Sequence, residues 1–303
     1  VIAAYRPDHF NVMQRLYFKL AKRFLSPERF AELSLRRWFG EGRLATPRTF
    51  NEKLHWLNCY YRDPRYPGLA DKYLCREYVT AKVGAQHLVP MYAMWEDTHQ
   101  VSLRDLPQAF ALKATHASGK GFLVRDKDRE SWRAIEREAR SWLSLNYYHA
   151  DREWVYRDLR PRVIAEQLLI GAHGRLPWDY KVHCFNGRAE YIMVITDRFE
   201  NRTKVIFDRE WRLAPFMWGI GEMPTEALSA SLFPRPERLD ELLTVAESLA
   251  EGMPYVRIDC YLVPQVLVGE VTFFPLGGNI PIFPREWSYR LGDLLHLPAP
   301  TPA

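Results

Sequence analysis

The sequence predicts an α+β protein, with helices first and a region dominated by antiparallel strands after them. Three features of the chain point there. Apolar residues recur with helical spacing over residues 9–40 and 50–62, and again in the stretch opened by Asp71. Two alternating runs, DYKVHCFNG and RAEYIMVITD, meet at Asn186-Gly187, a dipeptide that favours the positive-φ turn of a hairpin. Two further strand runs, YVRIDCYLV and VLVGEVTFF, follow a helical stretch at 235–252, so helices and strands are segregated rather than alternating.

The elements follow in order. Thr49 or Asn51 is placed to cap the 50–62 helix, because a short oxygen-bearing side chain can satisfy its free N–H groups. Gly84 closes the helix DKYLCREYVTAKVG. LVPMYAMW and FALKATH are short strands by their β-branched and aromatic content. Residues 128–149 are helical, VIAEQLL is a strand after Pro161, and KVIFDREWRL is a strand pair around Asp208. The organisation expected is a helical region over 1–100, a central lobe over 101–170 and a C-terminal lobe over 171–303. Pro298, Pro300 and Pro302 make a tail outside the fold.

Composition narrows the function. A chain of 303 residues with 47% hydrophobic and 26% charged residues can bury a continuous core. Its 10 Trp, 16 Tyr and 16 Phe exclude a disordered chain. No run approaches the ~18 apolar residues of a membrane span. Cys59, Cys75, Cys184 and Cys260 are scattered without a C-x-x-C pair, which reads as reduced thiols and a cytoplasmic address. The formal charge of +5 is concentrated early, in Arg15, Lys19, Lys22, Arg23, Arg29, Arg36, Arg37 and Arg43. Interleaved with Leu16, Phe18, Leu20 and Phe24, these residues form either a basic amphipathic helix touching anionic lipid at the inner membrane face or a solvated helix packed on its own domain. No nucleic-acid motif accompanies the charge, so no nucleic acid is expected as a partner.

Four places can carry chemistry. In FALKATHASGKG, a strand bearing Lys113 runs into a loop of small residues, where backbone N–H groups and an ammonium could cradle phosphate; the plain alternative is a surface hairpin. It is not a Walker A loop, because Ala114 stands at the first glycine and Gly121 at the Ser or Thr position. Arg257-Ile-Asp259 is followed by Glu270-Val-Thr272, and strand parity puts 257 with 259 and 270 with 272 on one face. If the strands are antiparallel neighbours, Asp259 and Glu270 converge as hard oxygen ligands for Mg²⁺; otherwise they are acids on a wet sheet face. Ile164-Ala-Glu166 is a strand crossing between lobes, and Asp179-Tyr180-Lys181 is the fourth place. A lone Glu or Lys on a strand is usually solvated.

In this order the pieces resemble the ATP-grasp superfamily, and within it the teichuronopeptide biosynthesis (TupA-like) branch. The likeness covers residues 45–295, from Thr49-Phe-Asn51-Glu-Lys53 through Asp71-Lys72-Tyr73 to Gly269-Glu270-Val-Thr272-Phe and Gly277-Gly278. The resemblance implies an ATP-grasp fold, two α+β lobes enclosing ATP behind a helical N-terminal region. It implies that Arg76 opens the nucleotide site, that Lys113 binds phosphate, and that Ser118, Gly119, Lys120 and Gly121 cover it. Glu166, Gln167 and Leu168 would meet adenine and ribose, and Arg257 would stabilise the transferring phosphoryl group. Asp259 and Glu270 would hold Mg²⁺. Many relatives place Asn where this chain has Thr272, so Thr272 or Asn279 completes the metal site. By the same resemblance, Lys181 would be a branch-specific phosphate or substrate contact.

The activity implied is an ATP- and Mg²⁺-dependent carboxylate–amine ligase working through an acyl phosphate. Its partners would be a carboxylate on a cell-surface polysaccharide or its precursor and an amino acid or peptide amine. The rival is a metal-dependent glycosyltransferase using Asp126-Lys127-Asp128, with a charged turn before a helix as the plain reading of that motif. A nucleotide-binding scaffold without turnover is the third class.

Overall fold

The computed structural model describes residues 12–40, 42–171, 174–196, 203–219 and 231–301. The helix expected over 9–40 is two helices, α1 (Val12–Phe24) and α2 (Pro27–Phe39), and residues 9–11 lie outside the described ones. Pro27 cannot continue the hydrogen-bond ladder of α1. Ser26 instead caps α2, its Oγ accepting from Arg29 N at 3.3 Å. Helix α3 (Phe50–Tyr60) opens on a full capping box between Thr49 and Glu52. Asn51 is therefore not the cap; it faces inward, donating to Gly278 O at 2.8 Å and Ile280 O at 2.9 Å. Helices α4 (Tyr66–Ala70) and α5 (Cys75–Val83) follow. The stretch opened by Asp71 is a turn first, with Asp71 Oδ1 accepting from Tyr73 N and Leu74 N before α5 begins.

A four-stranded sheet comes next: β1 (Met91–Trp95), β2 (Phe110–Ala114), β3 (Gly121–Val124) and β4 (Val163–Gln167), in the order β1-β4-β2-β3. The crossing expected of the Glu166 strand is corrected. β4 lies inside this sheet, between β1 and β2, and the chain leaves it only after Gln167. The helix expected over 128–149 is α6 (Trp132–Trp142) and the single turn α7 (Tyr148–Asp151). Ile135 and Trp142 of α6 pack with Phe110, Leu112, Val163 and Ala165 in a core of their own.

The larger sheet is antiparallel throughout, in the order β10-β9-β5-β6-β7. Its strands are β5 (Asp179–Phe185), β6 (Arg188–Thr196), β7 (Thr203–Asp208), β9 (Tyr255–Leu262) and β10 (Val266–Thr272). Strand β8 (Met217–Trp218) pairs instead with β11 (Ile282–Phe283). The β5–β6 hairpin turns on Asn186 and Gly187 at φ 50° and 83°. The strand pair expected around Asp208 is reduced to one bridge, Phe207 to Leu213. Asp208 Oδ1 accepts from Glu210 N and Arg212 N, and this turn uses up the residues a second strand would need.

Parity gives the sheet two characters. Val182, Cys184, Val256 and Ile258 share a face and pack with Leu242, Ala246 and Leu249 of α8 (Leu239–Ala250). The other face carries Lys181, His183, Arg257 and Asp259, and its far end is covered by α3, where Phe50 meets Phe185 and Tyr255 at 5.6 and 5.0 Å between rings. Helix α9 (Glu286–Leu294) follows, and Lys53 of α3 donates to Gly292 O and Leu295 O at 2.7 and 2.8 Å. All four cysteines are buried and unbridged. Among the described residues no helix is long and apolar enough to cross a membrane.

Candidate active site

Register decides which side chains meet. Lys113 opposes Ile164, and Ala111 opposes Glu166, so Lys113 and Glu166 emerge on one face of the small sheet. Their charges close at 2.7 Å, Nζ to Oε2, while Arg76 Nη1 stands 3.3 Å from Glu166 Oε1 and its Nη2 donates to Val89 O. Burial pulls the Lys113 ammonium toward deprotonation, but Glu166 outweighs it and holds the pKa above the ordinary lysine range. Past Lys113 the chain runs through the buried Thr115, His116 and Ala117 and turns at an exposed tip, residues 118–120, to Gly121, where a Cβ would lie 2.9 Å from Leu112 O. Gly119 takes φ 70°, which an L side chain resists. Both glycines let the backbone fold tightly over whatever lies beneath. Tyr147 stands beside Ser118, its hydroxyl pushed up to about 12, chiefly by burial.

On the large sheet Lys181 opposes Asp259, Asp259 opposes Glu270, and Arg257 opposes Thr272. A bulge between Val268 and Glu270 sets the last two pairings. Lys181 Nζ hydrogen-bonds Asp259 Oδ2 and stands 2.8 Å from Asp179 Oδ2. Arg257 grips Asp259 with two bonds of 2.6 and 2.8 Å and donates to Thr272 Oγ1 at 3.1 Å. Burial pushes the Asp259 carboxyl up, but Arg257 and Lys181 outweigh it and bring the pKa down to about 2. Lys72 joins the two sheets, its Nζ donating to Ala117 O of the loop at 2.9 Å and to Glu270 Oε1 at 3.2 Å.

Between the sheets lies a cavity of about 250 Å³. Lys113, Gly119, Lys120 and Gly121 line it from the small sheet, Lys181, Asp259 and Glu270 from the large one, and Gln167 and Leu168 from the segment between. Sequence reasoning missed the rest of its wall. Lys72 and Asp179 lie inside the Asp71-Lys72-Tyr73 and Asp179-Tyr180-Lys181 motifs, and Tyr261 shares strand parity with Asp259. Val89, Leu123, Leu169, Leu176, Pro177 and Ile195 give the cavity an apolar wall, suited to a flat aromatic base, to set against its four lysines.

Arg76, Glu166, Arg257 and Thr272 are outside that lining and stand directly behind residues of it: Arg76 and Glu166 behind Lys113, Arg257 and Thr272 beside Asp259. Ser118 is exposed on the loop. Asn279 sits elsewhere, buried against α3, with Oδ1 3.0 Å from His55 Nε2 and Nδ2 3.3 Å from Gly277 O. Burial lowers the His55 pKa to about 4, so the ring is neutral and its Nε2–H donates to Asn279. Asn279 therefore braces the Gly277-Gly278 turn. Asp126 and Asp128 close an exposed turn, with Asp126 accepting from Asp128 N and pairing with Arg129 at 3.1 Å.

One further acid was not anticipated. Glu153 is buried in the segment after α7, and its carboxyl pKa lies well above the ordinary range, first through burial and then through Asp151 and Glu270.

Among the described residues no group of three or more His, Cys, Asp or Glu side chains is gathered as a metal site. Asp259 and Glu270 are paired carboxylates in a cavity rich in cations. That donor set fits Mg²⁺, which takes one or two protein carboxylates and completes its shell with phosphate oxygens and water.

Several solved structures resemble the chain. The ATP-grasp ligase PsnB complexed with a minimal precursor is 15% identical, with a TM-score of 0.40, over 78% of this chain and 61% of that one. D-alanine–D-alanine ligase from Bacillus anthracis complexed with ATP is 14% identical, with a TM-score of 0.40, over 75% and 63%. N5-carboxyaminoimidazole synthetase from Staphylococcus aureus is 10% identical, with a TM-score of 0.36, over 68% and 44%. The chain thus spans less than two thirds of the length of each. No curated protein matches it. The TupA-like ATP-grasp family model matches residues 52–296, from the capping box of α3 to the end of α9, and the chain belongs to that family.

Proposed function

We propose that the chain is an ADP-forming carboxylate–amine ligase that binds ATP with Mg²⁺ in the cavity between its sheets. The observation that carries this is the register that sets Lys181, Asp259 and Glu270 in one row, across a single cavity from Lys113. Cations suited to phosphate and anions suited to a metal stand there together, and among the described residues that line the space there is no cysteine and no serine–histidine pair. Such a site works by positioning and neutralising charge.

The carboxylate oxygen of the first substrate attacks the γ-phosphorus; a new O–P bond forms and ADP leaves with the electron pair of the broken bond. Lys113 and Lys181 hold the phosphate oxygens, and Arg257, fixed by Asp259 and Thr272, balances the charge that builds on the transferring group. Mg²⁺, held by Asp259 and Glu270, supplies charge neutralisation when bound. The amine then attacks the acyl carbon, phosphate departs, and the amine proton passes to phosphate or solvent. The loop from Thr115 to Lys120 shields the acyl phosphate from water. Family resemblance supports a carboxylate on a cell-surface polysaccharide or its precursor and the amine of an amino acid or peptide.

Two measurements test this. Thermal unfolding is expected to rise with ATP or ADP plus Mg²⁺ and to ignore UDP- and GDP-sugars with Mn²⁺; the opposite pattern overturns the reading. With hydroxylamine as the amine, turnover of a carboxylate should give a hydroxamate with one ADP and one phosphate. Release of AMP and pyrophosphate would rule out the mechanism.

A further inference from the structure

Among the described side chains of helix α1, those that meet the body lie on one side. Ala21 is buried, Phe18 packs on Phe30 at 5.2 Å between rings, and the Arg37 guanidinium stacks on Phe18 at 4.1 Å. On that side too, Lys22 hydrogen-bonds Ala150 O and lies 3.6 Å from Asp151. On the other side Tyr17, Leu20 and Phe24 stand 60, 48 and 73% exposed. Their spacing of three and four residues makes them one continuous apolar stripe. An isolated exposed leucine means little, but three large side chains aligned on one helix face mark a surface that meets something apolar.

Charge identifies what that is. VMQRLYFKLAKRF contains four cations and no acid. Arg23 is exposed next to Phe24, and Arg29, Arg36 and Arg43 are exposed just beyond. The two acids of α2, Glu28 and Glu32, are half-buried and act on the buried Cys59 thiol. A protein partner built for this face would need an acidic rim around an apolar centre, whereas a bilayer with anionic headgroups over acyl chains supplies both at once. We propose that α1 docks the chain on an anionic membrane surface, with Tyr17, Leu20 and Phe24 in the headgroup boundary and Arg23 and its neighbouring cations against lipid phosphate.

Lys22 touches Asp151, and a Cβ on Gly277 would lie 2.7 Å from Asp151 Cβ, so α1 braces the segment packed on the Gly277-Gly278 turn. Membrane docking does not depend on the ligase reading, since it is measured without turnover.

The test is flotation of the full chain with phosphatidylcholine vesicles, alone or with about 30 mol% phosphatidylglycerol, across a range of salt. The chain is expected to float with the anionic vesicles, to stay behind with the neutral ones, and to be released as salt rises. Leu20→Glu and Phe24→Glu should each reduce partitioning at least about tenfold, and Arg23→Glu about fivefold or more, one cation near an anionic surface being worth roughly that factor. Because these side chains are exposed, unfolding midpoints should not move; Phe24→Ser repeats the test without adding charge. Light scattering without vesicles examines a second copy of the chain as the occupant. Wild-type protein that ignores anionic vesicles overturns the proposal, as does flotation that survives Leu20→Glu and Phe24→Glu. Conversion of an oligomer to a monomer by Phe24→Glu, with flotation unchanged, would give the face to a second copy instead.

Discussion

Replacing Lys113 by Met should separate the phosphate contact proposed for this lysine from the ion pair it makes in the structure. The ammonium is within 2.7 Å of Glu166, with side-chain exposures of 22 and 7%. Toward ATP, the loss is one charge-assisted phosphate contact, worth about 1.5–3 kcal/mol and hence a roughly tenfold to hundredfold weaker Kd. Toward stability, Lys113→Met leaves Glu166 with Arg76 alone, at 3.3 Å, and a buried carboxylate stripped of a partner costs about 1–3 kcal/mol. Adding Glu166→Gln removes the stranded charge but returns nothing to the phosphates. The double variant should regain most of the lost stability and none of the lost affinity. Isothermal titration with ATP and Mg²⁺, beside urea unfolding of the three proteins, measures both quantities. A folded Lys113→Met protein with wild-type affinity would remove Lys113 from the nucleotide site. A double variant no more stable than the single one would refute the account of Glu166.

Glu270→Gln and Asp259→Asn should each abolish Mg²⁺-dependent hydroxamate formation, while Asp126→Asn, in its exposed turn, should leave the rate unchanged; an essential Asp126 would point to a sugar-nucleotide enzyme instead. Glu153 has a folded-state pKa raised above its unfolded value, so its contribution to stability is complete below about pH 4.5 and is lost as pH rises through the folded pKa. Glu153→Gln should therefore raise the thermal midpoint at pH 8 and leave it unchanged at pH 4, and equal midpoints at both would show that Glu153 titrates normally.

What the sequence disclosed was local. Thr49 and Glu52 announce the start of α3 because a capping box is written in four consecutive residues. Asn186-Gly187 announces the β5–β6 turn because few other dipeptides accept two positive φ angles. The β9–β10 pair was legible for the same reason, since only a short connection separates the strands. Register between distant strands was not. Lys181 opposes Asp259 across 78 residues, and Lys72 reaches Glu270 across 198, so nothing in the neighbourhood of either lysine names its acid. The same limit hid the place of β4, whose apolar run reads identically inside a sheet or crossing between two. Asn279 was drawn to the metal site by its residue type, yet its partner is His55, 224 residues away.

Every lysine that lines the cavity, and Arg257 behind it, pairs with a carboxylate: Lys113 with Glu166, Lys181 and Arg257 with Asp259, Lys72 with Glu270 and, at the exposed loop, Lys120 with Glu138. Buried charges left single are costly, so these internal pairs offset the desolvation of the charges around the cavity. If ATP and Mg²⁺ bind here as proposed, they are expected to enter by exchange, with phosphates taking the cations and the metal taking the acids they release. Either ligand alone breaks pairs without replacing them: metal-free ATP strands Asp259 and Glu270, and Mg²⁺ alone meets carboxylates already neutralised by lysine and arginine. The two should therefore bind with positive coupling, of the order of 1–3 kcal/mol. Glu270→Gln offers a sharp check, because it removes one acid that competes with phosphate for Lys72. That variant should bind ATP more tightly than wild type in excess EDTA and more weakly in excess Mg²⁺. Affinity lowered equally in both conditions would mean that Glu270 supports the fold of the cavity rather than the exchange within it.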